Sequence, residues 1–202
     1  QGAANFAFYD DSLLFRWEQG LKPFLAEIGR RGYQVSFHTP NALNARMITR
    51  ENAGMMVEAG FRHFFLGFES ADRRWQALTG SKVDGSDLAR AVERLLEAGA
   101  EAERIAAYII IGHPESRIQD IEGSIRFAGS LGIKVMLSEF SPIPGTPDGE
   151  KCRRWIDLDD PLQQNKAFFA NACLGAERVQ ELKSLCHLLN RRVDSTKNCS
   201  GT

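Results

Sequence analysis

Five groups of polar residues, each directly after an apolar segment, are the part of this sequence whose residue types could do chemistry. Carboxylates, amides, imidazoles and hydroxyls can together hold a polar ligand through charge and hydrogen bonds. Each group also has a structural interpretation, since aspartate and serine often cap helices and proline and glycine shape turns. Their shared placement favours the functional interpretation. The groups are Asp10 and Asp11; His38, Thr39 and Asn41; Glu69 and Ser70; His113, Glu115 and Ser116; and Glu139, Ser141 and the PIPGT stretch that contains Ile143.

The apolar segments before these groups have the pattern of parallel strands. Predicted strands cover residues 5–9, 34–38, 63–68, 105–111 and 134–140, and the helical stretches between them stop at glycines. The strands recur about every thirty to forty residues, which is the length of a βα unit. Successive units build a parallel α/β sheet or barrel whose carboxyl strand ends share one rim. We therefore expect Asp11, Asn41, Glu69, Glu115 and Glu139 to gather around one cavity.

Composition and charge exclude several classes of protein. The chain has 202 residues, 43% hydrophobic and 25% charged, which is enough for one core or most of a larger one. A net charge of −1 with no long basic run gives no signal for nucleic acid or an anionic membrane. Neither a membrane-spanning segment nor a basic and then apolar leader is present in the sequence. A cytoplasmic protein is the expectation.

The segments around the polar groups resemble motifs of radical S-adenosylmethionine (radical SAM) enzymes, in particular the group that often carries a cobalamin-binding domain upstream. IIGHPE at 110–115 fits the IxGxxE part of that family's GxIxGxxE motif, with Tyr108 in place of the first glycine. LGFES at 66–70 resembles the end of the fourth strand, and FHTPNALNAR and SPIPGT resemble the ends of the third and sixth. The likeness covers about residues 5–190, and the motifs are specific together, although IxGxxE alone is weak.

The resemblance implies a site for S-adenosylmethionine at the rim. Ile110 and its strand would pack beside the adenine, and Gly112 would let the backbone come close to it. Glu69 and Ser70 would hydrogen-bond the ribose hydroxyls, while His113 would either face the cavity or bond within its loop. Asp10 and Asp11 stand where many relatives have a glycine-glycine-glutamate motif for the cofactor's amino group. The glycines are absent here, so the resemblance implies only a negative charge near that amino group. The implied binding residues are Asp10, Asp11, Asn41, Glu69, Ser70, Ile110, Gly112, Glu115, Glu139, Ser141 and Ile143.

The family's four-iron four-sulfur (4Fe-4S) cluster needs a CxxxCxxC loop after the first strand, and this sequence has none. Its four cysteines are scattered, so no metal ligands are expected among them, and a zinc site from Cys173, Cys186, His187 and Cys199 is disfavoured. By resemblance, residues 5–9 form the second strand, which places the first strand and the cluster ligands upstream. The expected fold is a parallel partial TIM-type barrel with five of six βα units over residues 1–147, and residues 148–202 form a C-terminal helical extension that packs on it.

The implied activity is reductive cleavage of S-adenosylmethionine to a 5′-deoxyadenosyl radical. If cobalamin is bound upstream, the expected outcome is methylation of a small-molecule or lipid substrate, with flavodoxin or ferredoxin as electron donor. A chain without the cluster is expected to be inactive, and its exposed edge strand is expected to pair with a neighbour. No residue is assigned a catalytic role.

Two other functions fit the same rim. A divalent metal in a hydrolase or isomerase barrel could be held by imidazoles and carboxylates. Its candidate ligands are His38, Glu69, His113, Glu115 and Glu139. A noncatalytic barrel that binds a nucleotide-like ligand is the other alternative.

Overall fold

The computed structural model describes residues 2–71 and 83–196, in which strands and helices alternate. The part of the fourth-strand motif at 72–82 and the cysteine Cys199 lie outside the described residues. The strands are β1 (Asn5–Ala7), β2 (Ser36–His38), β3 (Leu43–Asn44), β4 (Phe64–Glu69), β5 (Ile105–Ile111) and β6 (Lys134–Glu139). The helices are α1 (Leu21–Arg30), α2 (Arg50–Glu58), α3 (Gly85–Glu97), α4 (Ile118–Ser130), α5 (Pro147–Lys151), α6 (Lys166–Leu174) and α7 (Ala176–Thr196).

All the strand pairs are parallel, as predicted, but they form two hydrogen-bonded sheets instead of one. The orders are β1-β2 and β3-β4-β5-β6, and a single parallel bridge between Phe37 and Phe61 connects them. The strand predicted at 34–38 is observed as β2, and a further short strand, β3, follows it that was not predicted. Pro40 separates β2 from β3, because proline has no N–H to donate to a neighbouring strand. The structure is therefore a parallel α/β fold, and closure into a partial barrel stays a prediction.

The β4-β5-β6 sheet has one face under helices and one that is more accessible. Residues of β4 alternate between buried and half-buried, and β5 does so from Ala107 onward. The buried side joins the main core with Leu88, Leu95, Ile125 and Leu182 from the helices. Burial of each such side chain stabilises the fold by about 1.5–3 kcal/mol. We call the other side the open face; its residues are Phe65, Gly67, Tyr108, Ile110, Met136 and Ser138.

Helix α7 seals the outer edge of β6. The side chain of Asn190 replaces a neighbouring strand: its Oδ1 accepts the N–H of Val135 at 2.8 Å and its Nδ2 donates to the Val135 carbonyl at 2.9 Å. Ion pairs at both ends of β6 hold the helix in place, Lys134 with Asp194 at 2.9 Å and Glu139 with Lys183 at 3.3 Å. The apolar stripe of this helix is packed on the body, with Val179, Leu182 and Cys186 buried and Leu185 and Leu189 partly buried.

Replacing Asn190 by alanine should lower the free energy of unfolding by about 2 kcal/mol, because it leaves a partly buried peptide group of β6 without its partners. Urea unfolding of the variant measures the loss. Asn171→Ala is the matched control, since the exposed Asn171 amide bonds only the Ala167 carbonyl of its own helix at 2.8 Å. Equal small effects from both substitutions would contradict the edge-sealing role.

The edge at β1 differs from the edge at β6. In the described part of the chain, β1 pairs only with β2, and its three residues are exposed. Phe6 and Phe24, on the adjoining surface, are 44% and 43% exposed although both rings pack on Phe37. The strand is shorter than predicted. Phe8 still donates one further bond to the His38 carbonyl at 2.9 Å, but Tyr9 is exposed. Open edges with apolar rings are typical of surfaces that another segment covers.

Candidate cofactor site

The loops after β1 and β2 meet through a hydrogen bond between side chains. Asn41 Nδ2 donates to Asp11 Oδ1 at 2.7 Å, in an exposed position. Asp10 instead accepts the backbone N–H of Ser12 at 2.7 Å, which is the local turn-forming role of aspartate. The structure therefore brings Asp11 and Asn41 together and leaves Asp10 in its own loop.

Glu69, at the carboxyl end of β4, has an unusual backbone. Its φ is +67°, in the left-handed region that costs a residue with a side chain about 1–2 kcal/mol. The N–H of Ser70 donates to the Phe68 carbonyl across it at 2.8 Å, and the register with β5 shifts between Gly67 and Glu69. In the described part of the chain no hydrogen bond or ion pair involves the half-buried Glu69 carboxylate. A strained residue with an unused charge is typical of a functional position.

Ser70 is directed away from the rim and toward helix α4. It is 9% exposed, and its Oγ lies 3.4 Å from the Oγ of Ser124. Ser124 in turn accepts the N–H of Ala71 at 2.8 Å and donates to the Asp120 carbonyl at 2.7 Å. The two residues predicted to bind the ribose thus differ in their surroundings. Ser70 fastens the β4 loop to α4, and Glu69 takes no part in that contact.

The loop after β5 is held by His113. This buried imidazole accepts the N–H of Glu115 at Nδ1, 3.2 Å, and its Nε2 lies 3.4 Å from Oδ2 of Asp148. Its ring packs edge-on against Phe140, with the ring centroids 4.9 Å apart. His113 was predicted either to face the cavity or to bond within its loop, and these contacts correspond to the second role.

Glu115 belongs to an ion cluster with helix α5. Lys151 Nζ lies 3.0 Å from Glu115 Oε1 and 2.9 Å from Asp148 Oδ1. Hydrogen bonding to Lys151 lowers the pKa of both carboxyls below their ordinary values. Arg154 adds a bond to the Pro114 carbonyl at 3.0 Å. Sequence analysis did not select Lys151 or Asp148, because no spacing pattern connects α5 with a loop more than thirty residues earlier.

Replacing Lys151 by methionine should raise the pKa of Glu115 and of Asp148, since both carboxylates lose the ammonium that favours their charged forms. Side-chain carboxyl shifts followed by NMR across an acid titration would show the change. Lys166→Met is the control, because Lys166 is an exposed lysine at the start of α6. An unchanged Glu115 titration in the Lys151 variant would contradict the ion cluster.

Gly112 is closed in by protein. Its φ of +82° requires glycine, and a Cβ at this position would lie 3.2 Å from the Cα of Ala170 and 3.4 Å from its Cβ. At the Cβ position of Gly112, helix α6 is the neighbour that makes a close approach. A close approach of the adenine to this backbone stays a prediction.

The groups after β6 do not join Glu69. Glu139 pairs with Lys183 of α7, Ser141 donates to the Gln164 carbonyl at 3.1 Å, and Ile143 is exposed. Each of these groups thus has its own surroundings in the structure, and the gathering of five polar groups around one cavity stays a prediction. The described contacts give one pair, Asp11 with Asn41, and one ion cluster around Lys151. Ile110 remains on the open face, half-buried and opposite Ser138.

The described residues offer no ligand set for a metal. Within residues 2–71 and 83–196 no group of three or more histidine, cysteine or acidic side chains could hold an ion. Cys152 and Cys186 are buried, and desolvation raises their pKa values to about 11 and about 12. Desolvation also raises the pKa of Cys173. A four-iron cluster needs several cysteines in one place, and the described cysteines form no such group.

The comparisons with known proteins give a structural likeness only. No family model and no curated protein matches the sequence. Among solved structures, Escherichia coli coproporphyrinogen III oxidase (HemN), a radical SAM enzyme, superimposes with a TM-score of 0.54 at 15% identity. The match covers 82% of this chain but 36% of HemN. A second match is to an aldolase, QR15, at 14% identity. This match covers 75% of this chain and 72% of QR15, and its TM-score of 0.35 carries no argument.

None of the described helices is both long and apolar enough to cross a membrane. The likeness to HemN is below the identity at which family membership can be stated, so it bears on the fold alone. The described residues share the parallel α/β fold of a radical SAM enzyme.

Proposed function

We propose that this chain forms the S-adenosylmethionine-binding part of a radical SAM enzyme. The observation that carries the proposal is Glu69, a strained residue at the carboxyl end of β4 whose carboxylate has no hydrogen-bond or ion-pair partner among the described residues. Ligands of parallel α/β folds bind at this end of the strands. The sequence resemblance puts the ribose contact at the same residue, and the HemN likeness supports the same kind of fold.

The chemistry of Glu69 suits a ribose. A carboxylate can accept hydrogen bonds from two vicinal hydroxyls, each worth about 1.5–3 kcal/mol when one partner is charged. Ile110 on the neighbouring strand offers an apolar contact for the adenine, and the Asp11–Asn41 pair offers polar atoms for the methionyl end. Ser70, Gly112 and Glu139 have structural partners instead, so the proposed site is smaller than the sequence implies.

The cluster ligands of such an enzyme would lie outside this chain, because the three described cysteines do not fit them. We infer that a further strand, followed by the cluster-binding loop, pairs with the open edge of β1. The exposed residues of β1 and the exposed rings of Phe6 and Phe24 support this inference. The chain spans 36% of HemN, so the activity of the whole protein is part of the proposal. An electron donor such as flavodoxin or ferredoxin would be its partner.

Cobalamin-dependent methylation is proposed on the sequence resemblance alone. The divalent-metal alternative has less support, because four of its five candidate ligands have other partners. His38 Nε2 lies 3.4 Å from Oδ1 of Asn5, and His113 bonds within its loop. Glu115 pairs with Lys151, and Glu139 pairs with Lys183.

Metal analysis of protein that includes the upstream region, purified without air, tests the proposal. Iron with an equal amount of sulfide is the expected result, and the 202-residue chain prepared in parallel should hold neither. Zinc or manganese in the longer protein would support a hydrolase or isomerase, and absence of any metal would support a noncatalytic nucleotide-binding protein. Either result would overturn the radical SAM proposal.

A further inference from the structure

The open face of the sheet carries a row of aromatic rings. The centroids of His38 and His63 are 5.9 Å apart, those of His63 and Phe65 are 6.2 Å apart, and those of Phe65 and Tyr108 are 5.6 Å apart. The rings of His63 and Phe65 are nearly parallel, at 7°. Met136, which pairs with Tyr108 across the sheet, is 38% exposed. The first two pairs are stacked and the third is tilted, so the row offers an aromatic surface against which another ring system can pack.

These side chains are separate from the interior of the protein. Phe65, Tyr108 and Met136 belong to neither of the two apolar cores that the described residues form. The Tyr108 hydroxyl makes no hydrogen bond within residues 2–71 and 83–196. Burial raises the pKa of Tyr108, so the hydroxyl stays neutral and remains a donor at ordinary pH. The surface therefore combines an apolar floor with a hydrogen-bond donor that a ligand could use.

Positive charge lies at the end of the row near His63. Partial desolvation lowers the pKa of His63, and the positive charges of Arg104 and Lys134 add to the effect. Arg104 has a carboxylate partner in Glu101 at 3.2 Å and Lys134 has one in Asp194 at 2.9 Å. Both cations stay about one-third exposed, at 35% and 32% of the side chain, and can approach a further anion.

We propose that the open face binds a planar, largely apolar molecule that carries an anionic group. Its ring system lies over Phe65 and Tyr108, and its anionic group lies toward His63. As the substrate of the enzyme proposed above, this molecule would occupy the same sheet as Glu69, and to that extent the assignment rests on the proposed function. Binding itself needs no cofactor and can be measured without one.

The test uses 2-naphthoate as a planar anion, with two comparison compounds. 2-Naphthylmethanol lacks the charge, and decalin-2-carboxylate keeps the charge but is saturated and not planar. The 202-residue chain should bind 2-naphthoate about tenfold more tightly than either compound, as measured by fluorescence polarisation or ligand-observed NMR. Binding should also raise the pKa of His63, followed by the NMR signal of its ring and assigned with His63→Gln, whereas the alcohol should leave it unchanged.

Variants locate the site. Tyr108→Leu keeps apolar volume in the sheet and should weaken 2-naphthoate binding at least about fivefold. Phe15→Ala is the control, since Phe15 is an exposed ring in the segment between β1 and α1. Equal affinities for the three compounds, or a Tyr108→Leu variant that binds as tightly as the parent, would overturn the assignment. If the longer protein fails to bind iron while 2-naphthoate binding is intact, the radical SAM proposal is overturned and the assignment of the open face is not.

Discussion

Replacing Glu69 by glycine should weaken the binding of S-adenosylmethionine about tenfold or more and at the same time stabilise the fold. The two effects have separate causes. The loss of one or two charge-assisted hydrogen bonds to the ribose removes about 1.5–3 kcal/mol each, and about 1.4 kcal/mol corresponds to a factor of ten in affinity. The gain arises because glycine adopts a φ of +67° without the strain that a side chain imposes, worth about 1 kcal/mol.

The measurements are a binding titration with S-adenosylmethionine and urea unfolding of the same samples. Arg16→Gly is the matched control, because Arg16 also has a positive φ, +52°, and lies in the segment before α1. It should gain similar stability without loss of affinity. Glu69→Gln removes the charge and keeps the backbone strain, so it should lose affinity with little change in stability. A Glu69→Gly variant that binds as tightly as the parent would remove the main support for the proposed function.

Gly112→Ala should be among the most destabilising single substitutions in the chain, at about 2–5 kcal/mol. The left-handed backbone contributes about 1–2 kcal/mol and the overpacking against Ala170 contributes about 1–3 kcal/mol. Gly132→Ala separates the two terms. Gly132 has a φ of +73°, but a Cβ there meets nothing within 4 Å, so its variant should show the backbone cost alone.

Urea unfolding of both glycine variants decides between two roles for Gly112. If the glycine serves the packing of α6, as the structure indicates, Gly112→Ala costs clearly more than Gly132→Ala. Equal costs, combined with a loss of S-adenosylmethionine binding only in Gly112→Ala, would restore the predicted approach to the adenine.

The strands were predictable because their signal is local. Residues 105–111 were assigned correctly to a strand from an uninterrupted apolar run, and the helix stops at Gly60 and Gly99 mark left-handed turns in the structure. Boundaries were less accurate at β1, which ends before the exposed Tyr9, and at β2, which begins at Ser36 instead of Gln34. Hydrophobic pattern and turn chemistry determine these features within a few residues of sequence.

The candidate site was predicted less well because its contacts are distant in sequence. Glu139 pairs with Lys183 and Gly112 meets Ala170, and both partners come from the C-terminal helices. No sequence motif predicts such contacts. The sequence did place Glu69 at a strand end, but the positive φ that distinguishes it from other carboxylates is visible only in the structure.

Mapping the S-adenosylmethionine site on the 202-residue chain tests the central claim most directly. In a titration followed by the backbone amide signals of the isotope-labelled protein, binding should be weak, because the proposed cluster ligands that would anchor the cofactor lie outside this chain. The signals of Asn41, Glu69 and Ile110 should nevertheless move together along one saturable curve. In the Glu69→Gln variant the same signals should shift less at each concentration of S-adenosylmethionine. Shifts confined to other surfaces, such as the exposed side of α7, or no shifts at any concentration would contradict the claim that these strand ends bind S-adenosylmethionine.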